Sequence, residues 1–393
     1  MRFAAIDLGA SFIKSALLDT GSFTVSHVER LPSPSFPKNL PAGFREIPAE
    51  DLLRIAKGQI DRLLSIAPDC AGIVSCGQMH GLVLTDGQGA PLTDFISWMD
   101  ERARPTLETL VSKLKNGHGE DWAHEITAGS TVAILFWLAT TRGIPKDAIP
   151  CSLSDFVMSR LSQSETQCEP TMASGFGVFD VLNGRWHFDA LEELGLGHLR
   201  WPQIARATER IGSYRWGTNR IPVYASLGDQ QCALLGSLLK PGELSVNVST
   251  GSQVSTVKNH FERGDYEVRA YFDGMFLNTV THLPAGRTLN EQVALSKIPW
   301  DRIEEDPLFR AAFEKMAEAY HTAALKLDPS AAWERLVFSG GLIAKSTLLQ
   351  QLVQKRFGLA VRVSPAQEDT LLGLLRLSMT LSGQSATVLQ AAV

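Results

Sequence analysis

LGDQQCALLGSLLKPGELSVNVSTGS, residues 227–252, sets a carboxylate at the start of one helix and a small-residue turn at the end of the strand that follows it. Asp229 comes after a strand-like run, residues 221–227, and after Gly228, which can turn sharply. Its carboxylate is therefore expected at a strand end, where open α/β sheets place their ligands. Thr250, Gly251 and Ser252 close a second strand-like run, residues 244–248, and offer two hydroxyls and unencumbered backbone N–H groups, a chemistry that cradles phosphate. Each feature has a structural rival. An Asp ahead of Gln-Gln-Cys-Ala-Leu-Leu is also a good helix N-cap, and Thr-Gly-Ser is also a good hairpin turn. The rest of the chain has to decide.

The 393 residues fit two domains of ordinary size. A net charge of −5 with no basic block argues against a nucleic-acid surface. Five cysteines, at positions 70, 76, 151, 168 and 232, include no C-x-x-C pair. Neither a disulfide framework nor a zinc knuckle is suggested, and a cytoplasmic location is expected. The opening Met-Arg-Phe-Ala-Ala-Ile-Asp meets a carboxylate by residue 7, unlike a signal peptide, and the longest apolar run, residues 131–140, is too short to span a bilayer. No membrane partner is expected.

Along the chain, residues 3–8 and 12–18 form a hairpin with Asp7 near its tip, and Gly9, Ala10 and Ser11 in the turn. Residues 30–48 carry five prolines and read as a loop, and residues 50–67 show helical spacing. A strand over 71–76 leads into Gln78-Met79-His80-Gly81, and residues 95–98 give way to Asp100-Glu101-Arg102. Strands over 172–181 and 185–188 flank Asn183-Gly184, a hairpin signal repeated at Asp273-Gly274. Residues 307–327 read as an amphipathic helix. The chain ends in a βαβ unit, with strands at 336–338 and 359–363, Ser339-Gly340-Gly341 between them, and a helix over 347–357 that Thr347 and Gln350 would cap as a box. Lys240-Pro241-Gly242 breaks the helix between two domains, 1–240 and 241–393.

Three turns rich in glycine and small hydroxyl residues, with strand-end acids Asp7 and Asp229, supply what phosphoryl transfer needs: donors for the phosphates, a carboxylate facing Mg2+, and a carboxylate to take the acceptor's proton. No G-x-x-x-x-G-K-[ST] and no G-x-G-x-x-G occurs. The set of motifs resembles the FGGY carbohydrate kinases, over nearly the whole chain. The resemblance rests on residues 7–14, 76–83, 98–102, Gly228-Asp229-Gln230, Ser249 to Ser252 and Ser339-Gly340-Gly341, taken in that order. It implies an α/β fold of two ribonuclease H-like (actin/Hsp70/sugar-kinase) domains with an ATP cleft between them. It implies Asp229 as catalytic base and Asp7 facing Mg2+. Gly9, Ala10, Ser11 and Lys14, with Thr250, Gly251, Ser252, Gly340 and Gly341, would contact ATP. Gln78, Met79, His80, Trp98, Asp100 and Gln230, with Asp229, would line the pocket of a small-molecule sugar. A homodimer is the candidate assembly.

Gln78-Met79-His80-Gly81 resembles the xylulokinase branch. Residues 129–138, 173–177 and 272–287, a stretch that includes Arg287, look more like sedoheptulokinase, so sedoheptulose is the expected acceptor, with xylulose or another pentulose as the alternative. A non-catalytic sugar-binding protein derived from this fold is the second class of reading. Taken alone, His80 and Trp98 also fit a satisfied strand-end histidine and a core residue, and Asp100 with Arg102 a solvated surface pair. Ala10 stands where the family usually has Thr, and residues 374–379 depart from its small-residue adenine segment.

Overall fold

Each half of the chain opens with antiparallel strands, three in the first half and four in the second, and then adds strands that pair in parallel. The computed structural model describes residues 1–118, 123, 125–249, 251–286, 289–290, 293–294, 302–304, 306–364 and 368–389. Thr250 and Arg287, both in motifs singled out from the sequence, lie outside the described residues.

The first half begins with β1 (Arg2–Leu8), β2 (Phe12–Asp19) and β3 (Thr24–Pro32), each antiparallel to the next. Helix α1 (Ala49–Ile66) returns the chain to β4 (Gly72–Gly77), parallel to β1. Later, α2 (Leu153–Ser162) precedes β5 (Arg210–Trp216), β6 (Asn219–Tyr224) and the two-residue β7 (Leu227–Gly228). Both β6 and β7 run parallel to β4, and the sheet order is β5-β6-β4-β1-β2-β3. After α3 (Asp229–Gly236), the second half repeats the plan with β8 (Glu243–Val248), β9 (Ser252–Lys258), β10 (Glu267–Ala270) and β11 (Phe276–Val280). Helix α4 (Pro307–Leu327), β12 (Arg335–Ser339), α5 (Thr347–Phe357) and β13 (Ala360–Val363) follow, giving the order β10-β11-β9-β8-β12-β13. In both sheets a run of antiparallel strands continues into strands that pair in parallel, three antiparallel strands in the first sheet and four in the second. That is the ribonuclease H-like arrangement, present twice.

Packing follows from the patterns. Every residue of β4 is buried, as a central parallel strand covered on both faces requires. The apolar stripe of α1, Leu52, Ala56, Ile60 and Leu63, joins Phe156 and Val157 of α2 over Ala4, Ile6, Leu8 and Ile73 of the sheet. In the second half, α4 buries Phe309, Phe313, Met316, Tyr320 and Ala324 at helical spacing, and Asp306 Oδ1 caps it by accepting from Leu308 N at 2.8 Å.

The chain divides into two compact units, Met1–Ala233 with Thr370–Val393, and Leu234–Asp369. It passes from one to the other inside α3 and returns at the start of α6 (Asp369–Leu381), whereas a division at residue 240 has a single crossing. Gly373 makes the return contact close. A Cβ there would lie 2.0 Å from Cys232 O, so only glycine lets α6 sit against the backbone of residue 232.

Three local readings of the sequence need correction. Residues 24–32 form a strand that extends into the proline-rich region; it is an edge strand, largely exposed, and so lacks a strong apolar signature. Within the 172–181 stretch, residues 170–173 are helical and 174–176 form a 3-10 turn, because Glu169 caps a helix that has Pro170 in its first turn; only Phe179–Asp180 pairs with Arg185–Trp186. At α5 the cap is Ser346, whose hydroxyl accepts from Leu349 N, and not Thr347.

Asp155, 2% exposed in the first turn of α2, has its carboxyl pushed up to about 7, chiefly by burial. Its folded value lies above its unfolded one, so its stabilising contribution is complete below about pH 4 and is lost as pH rises through about 7. Glu169, 4% exposed, is pushed the same way to about 7 by burial. In urea unfolding between pH 5 and 7, Asp155→Asn should therefore gain on the wild type by up to about 1.4 kcal/mol per pH unit. Parallel pH profiles for the two proteins would contradict this assignment.

Candidate functional site

Strand register assembles one edge of the first unit. Asp7 pairs with Cys76 across β1 and β4, and Cys76 pairs with Leu227 across β4 and β7. The residues just beyond β4 and β7, Gln78 and Asp229, thus leave the sheet from the same carboxyl edge as Asp7. Asp7 is 3% exposed. The Lys14 ammonium donates to its Oδ2 at 3.1 Å and the Thr370 hydroxyl at 2.7 Å. Its buried Oδ1 has no hydrogen-bond partner among the described residues. Asp229 is half-buried as the first residue of α3, and its Oδ1 accepts from Gln230 N at 2.8 Å. It is the first residue of α3, directly after β7 ends at Gly228, so it stands at a strand end as expected.

The first hairpin turn is braced from behind. Ser33 donates from its hydroxyl to Gly9 O at 2.8 Å and from its N–H to Ser11 O at 3.0 Å. Ala10 is half-buried and Ser11 is exposed. Between the two acids, the Cys76 thiol is hydrogen-bonded to Cys232 and held well above its ordinary pKa, first by burial and then by that bond and the charges of Asp7 and Asp229. Cys232 in turn donates to Thr370 O at 3.2 Å.

The sugar-side segments converge within the same unit. Gln78 N donates to Leu8 O at 3.1 Å, and the side chains of Gln78 and Met79 are buried. His80 and Gly81 both have positive φ, 63° and 72°. A non-glycine residue in that region costs about 1 kcal/mol or more, and such strain concentrates at functional turns. The turn is held by Gly81 N donating to Gly129 O at 3.0 Å and the Thr131 hydroxyl donating to Gly81 O at 2.7 Å. A Cβ on Gly129 would overlap Trp98 O at 1.8 Å, and one on Gly175 would stand 2.7 Å from His80 N. Trp98 is half-buried.

Asp100 is placed differently from a solvated pair. Its Oδ1 accepts from Arg102 N and Nε, each at 2.8 Å, and its Oδ2 from Arg102 Nη2 at 3.0 Å and Arg45 N at 2.6 Å. The Arg102 guanidinium also reaches Glu46 at 2.5 Å and lies 4.2 Å from the Phe44 ring centroid. The carboxylate is buried and committed to the 44–46 segment.

In the second unit the turn after β8 meets the diglycine. Ser249 N donates to Gly251 O at 2.8 Å, and Gly341 N donates to Ser249 Oγ at 3.2 Å. Gly340 has φ of 92°, and a Cβ on it would lie 2.5 Å from Val248 O. The Ser252 hydroxyl donates to Pro284 O at 2.9 Å, while Gly286 N donates to Ser249 O at 3.0 Å, so residues 283–286 strap the turn. Gly251 is exposed.

Thr370 and Cys232 escaped the sequence reading. No local pattern links Thr370 to an acid 363 positions earlier. The one available signal was Gly373, whose missing side chain permits the close helix contact beside it.

Comparison with known proteins points the same way. A family model described as the FGGY family of carbohydrate kinases, N-terminal domain, matches residues 3–236. The chain is 25% identical over 278 residues to xylulose kinase of Staphylococcus xylosus, covering 67% of this chain and 56% of that protein. It is also 25% identical over 306 residues to xylulose kinase of Bacillus subtilis (strain 168), covering 72% and 60%. The match thus spans less than two thirds of either relative's length. In fold, it is similar to the crystal structure of ligand bound xylulose kinase from Lactobacillus acidophilus, with a TM-score of 0.88 at 16% identity over 99% of this chain and 91% of that one.

The two glycines of the diglycine should respond differently to alanine. Gly340→Ala meets both a left-handed backbone and a 2.5 Å contact with backbone oxygen, and should cost about 2 kcal/mol or more. Gly341→Ala meets only Ser249 Oγ at 3.8 Å, an ordinary contact, and should change stability by less than about 1 kcal/mol. Urea midpoints with unchanged slopes would check the pair, and equal midpoints would refute the packing described.

Proposed function

The chain belongs to the FGGY family of carbohydrate kinases, and from that premise we propose that it transfers the terminal phosphoryl group of Mg-ATP to a hydroxyl of a ketose. The observation that carries the proposal is the edge of the first unit, where strand register sets Asp7 abreast of Cys76 and Leu227 and Asp229 follows Gly228. Asp229 is the general base. It takes the proton of the sugar hydroxyl as the new oxygen–phosphorus bond forms and the bond from the γ-phosphorus to the β-phosphate oxygen breaks. In a largely dissociative transition state the proton leaves late, so a carboxylate suffices if it is well aimed.

Asp7 suits a divalent cation or one of its waters, since Oδ2 is occupied by Lys14 and Thr370 while Oδ1 is buried with no hydrogen-bond partner among the described residues. Among those residues no group of three His, Cys, Asp or Glu is arranged to hold a metal, and Mg2+ ordinarily takes only one or two carboxylates beside substrate phosphates. When bound, the ion would neutralise phosphate charge. Gly9, Ala10, Ser11 and Lys14 are assigned to phosphate contacts in the first unit. Thr250, Gly251 and Ser252 are assigned to them in the second, with Gly340 and Gly341 for the adenosine. The Ser252 hydroxyl is engaged by Pro284, so its contribution is backbone. Gln78, Met79, His80, Trp98 and Gln230 face the sugar, whereas Asp100 serves it indirectly by fixing Arg102.

Xylulose is the first acceptor to test, because the curated relatives above are named xylulose kinases. Sedoheptulose is the second reading, favoured by the part that Gly129, Thr131 and Gly175 play in shaping the turn at His80. A coupled ADP-release assay over xylulose, ribulose, sedoheptulose and glycerol should give sugar-dependent, EDTA-sensitive turnover with one of the ketoses. Asp229→Asn should lower kcat by at least about 1,000-fold while sugar binding by calorimetry stays within a few-fold. Sugar binding by the wild type without any ADP release would return the protein to the non-catalytic reading.

A further inference from the structure

Gly228, the residue just before the assigned base, is held from outside the sheet. Its N–H donates to the hydroxyl oxygen of Thr171 at 2.9 Å. That hydroxyl has one proton, which it donates to Glu169 Oε2, and Thr171 N donates to the same carboxylate oxygen at 2.7 Å. The direction of the chain of bonds is therefore fixed. Glu169 orients the hydroxyl, and the hydroxyl's lone pair receives the Gly228 amide. From the other side of the turn, Gln231 Nε2 donates to Thr171 O at 3.4 Å. Glu169 is 4% exposed, and Thr171 and Gln231 are completely buried. The contact is also close. A Cβ on Gly228 would stand 2.6 Å from Gln231 Oε1 and 3.1 Å from both Thr171 O and Met79 Sδ. Thus the short helix after Glu169 touches the turn that carries Asp229 on one side of Gly228, and the Gln78–Gly81 turn touches it through Met79.

We infer that Thr171, oriented by Glu169, is a positioning residue for Asp229, clamping the Gly228 amide so that the following carboxylate is aimed at the acceptor hydroxyl. This rests on the kinase reading above. Nothing in the local sequence announces it, because Thr171 lies 57 residues from Gly228. The consequence is specific to alignment. Losing the clamp leaves the base and the sugar-facing side chains in place but frees the peptide between β7 and α3 to rotate, which affects the transition state more than ground-state binding.

The test compares Thr171→Val, which keeps the shape and removes the hydroxyl, with Thr171→Ser, which keeps the hydroxyl. Thr171→Ala against Thr171→Ser repeats the comparison should valine not fold. Two readouts are needed: steady-state kinetics on the ketose that the wild type accepts, and hydrogen exchange at the Gly228 amide. Valine and alanine should lower kcat by about 10- to 100-fold with the sugar KM within about threefold, and should speed Gly228 exchange at least tenfold. Serine should restore both. Unchanged exchange in valine and alanine overturns the clamp. Faster exchange with unchanged kcat overturns the positioning role. A wild type inactive on every sugar while exchange still answers to the hydroxyl would instead overturn the kinase reading and leave the clamp standing.

Discussion

The pairing of β4 with β1 on one side and with β7 on the other is the constraint on which the candidate site depends. Strand side chains alternate faces, so a slip of one residue in either pairing would turn Asp7 or the approach to Asp229 away from the edge they share. The register is protected by packing at the end of β4. A Cβ on Gly77 would lie 2.1 Å from Ser154 Oγ and 3.1 Å from Leu8 Cβ, so the start of α2 and the end of β1 press on the strand where its pairing ends. The bare edge of a glycine is what lets three elements meet there.

The duplicated topology makes the difference between the units informative. Asp7 is the penultimate residue of β1 and pairs with Lys14 of β2 and Cys76 of β4. Asn247 is the penultimate residue of β8 and pairs with Gln253 of β9 and Ser339 of β12. The same position in the same fold therefore carries an ion pair, Asp7 with Lys14, in one unit and neutral side chains in the other. Asn247 Nδ2 donates to the Ser339 hydroxyl at 2.9 Å, whereas Asp7 receives a cation and a hydroxyl on a single oxygen. A carboxylate adds a negative charge at that position; an amide adds none. The two halves share a backbone plan and divide the electrostatics.

Features written in local pattern were legible from the sequence. The hairpin at Asp7, the helices over 49–66 and 307–327, the diglycine between β12 and α5, and the strand-end position of Asp229 all follow from short-range turn chemistry and periodicity. What escaped depends on distant partners or weak burial. Strand β3 is an exposed edge and reads like loop. Thr370 gains its meaning only when α6 folds back beside Cys232, and Asp100 only when residues 44–46 cover Arg102 with an aromatic ring and a second carboxylate. Sequence spacing carries turn geometry well and the far side of a contact poorly.

Two carboxylates on one sheet edge repel each other, and the groups between them limit that repulsion without adding charge. Cys76 lies beside Asp7 in the sheet, and its thiol is kept protonated by burial and by the acids themselves. It occupies the gap as a neutral, polarisable group. Cys232 continues that neutral link to the Thr370 carbonyl, and, among the described residues, the Thr370 hydroxyl and Lys14 are the donors to the Asp7 carboxylate, both on Oδ2. Among the described residues, every such donor thus approaches Asp7 on one oxygen. The remaining oxygen keeps its full demand for a positive partner in a buried setting, where that demand is strongest.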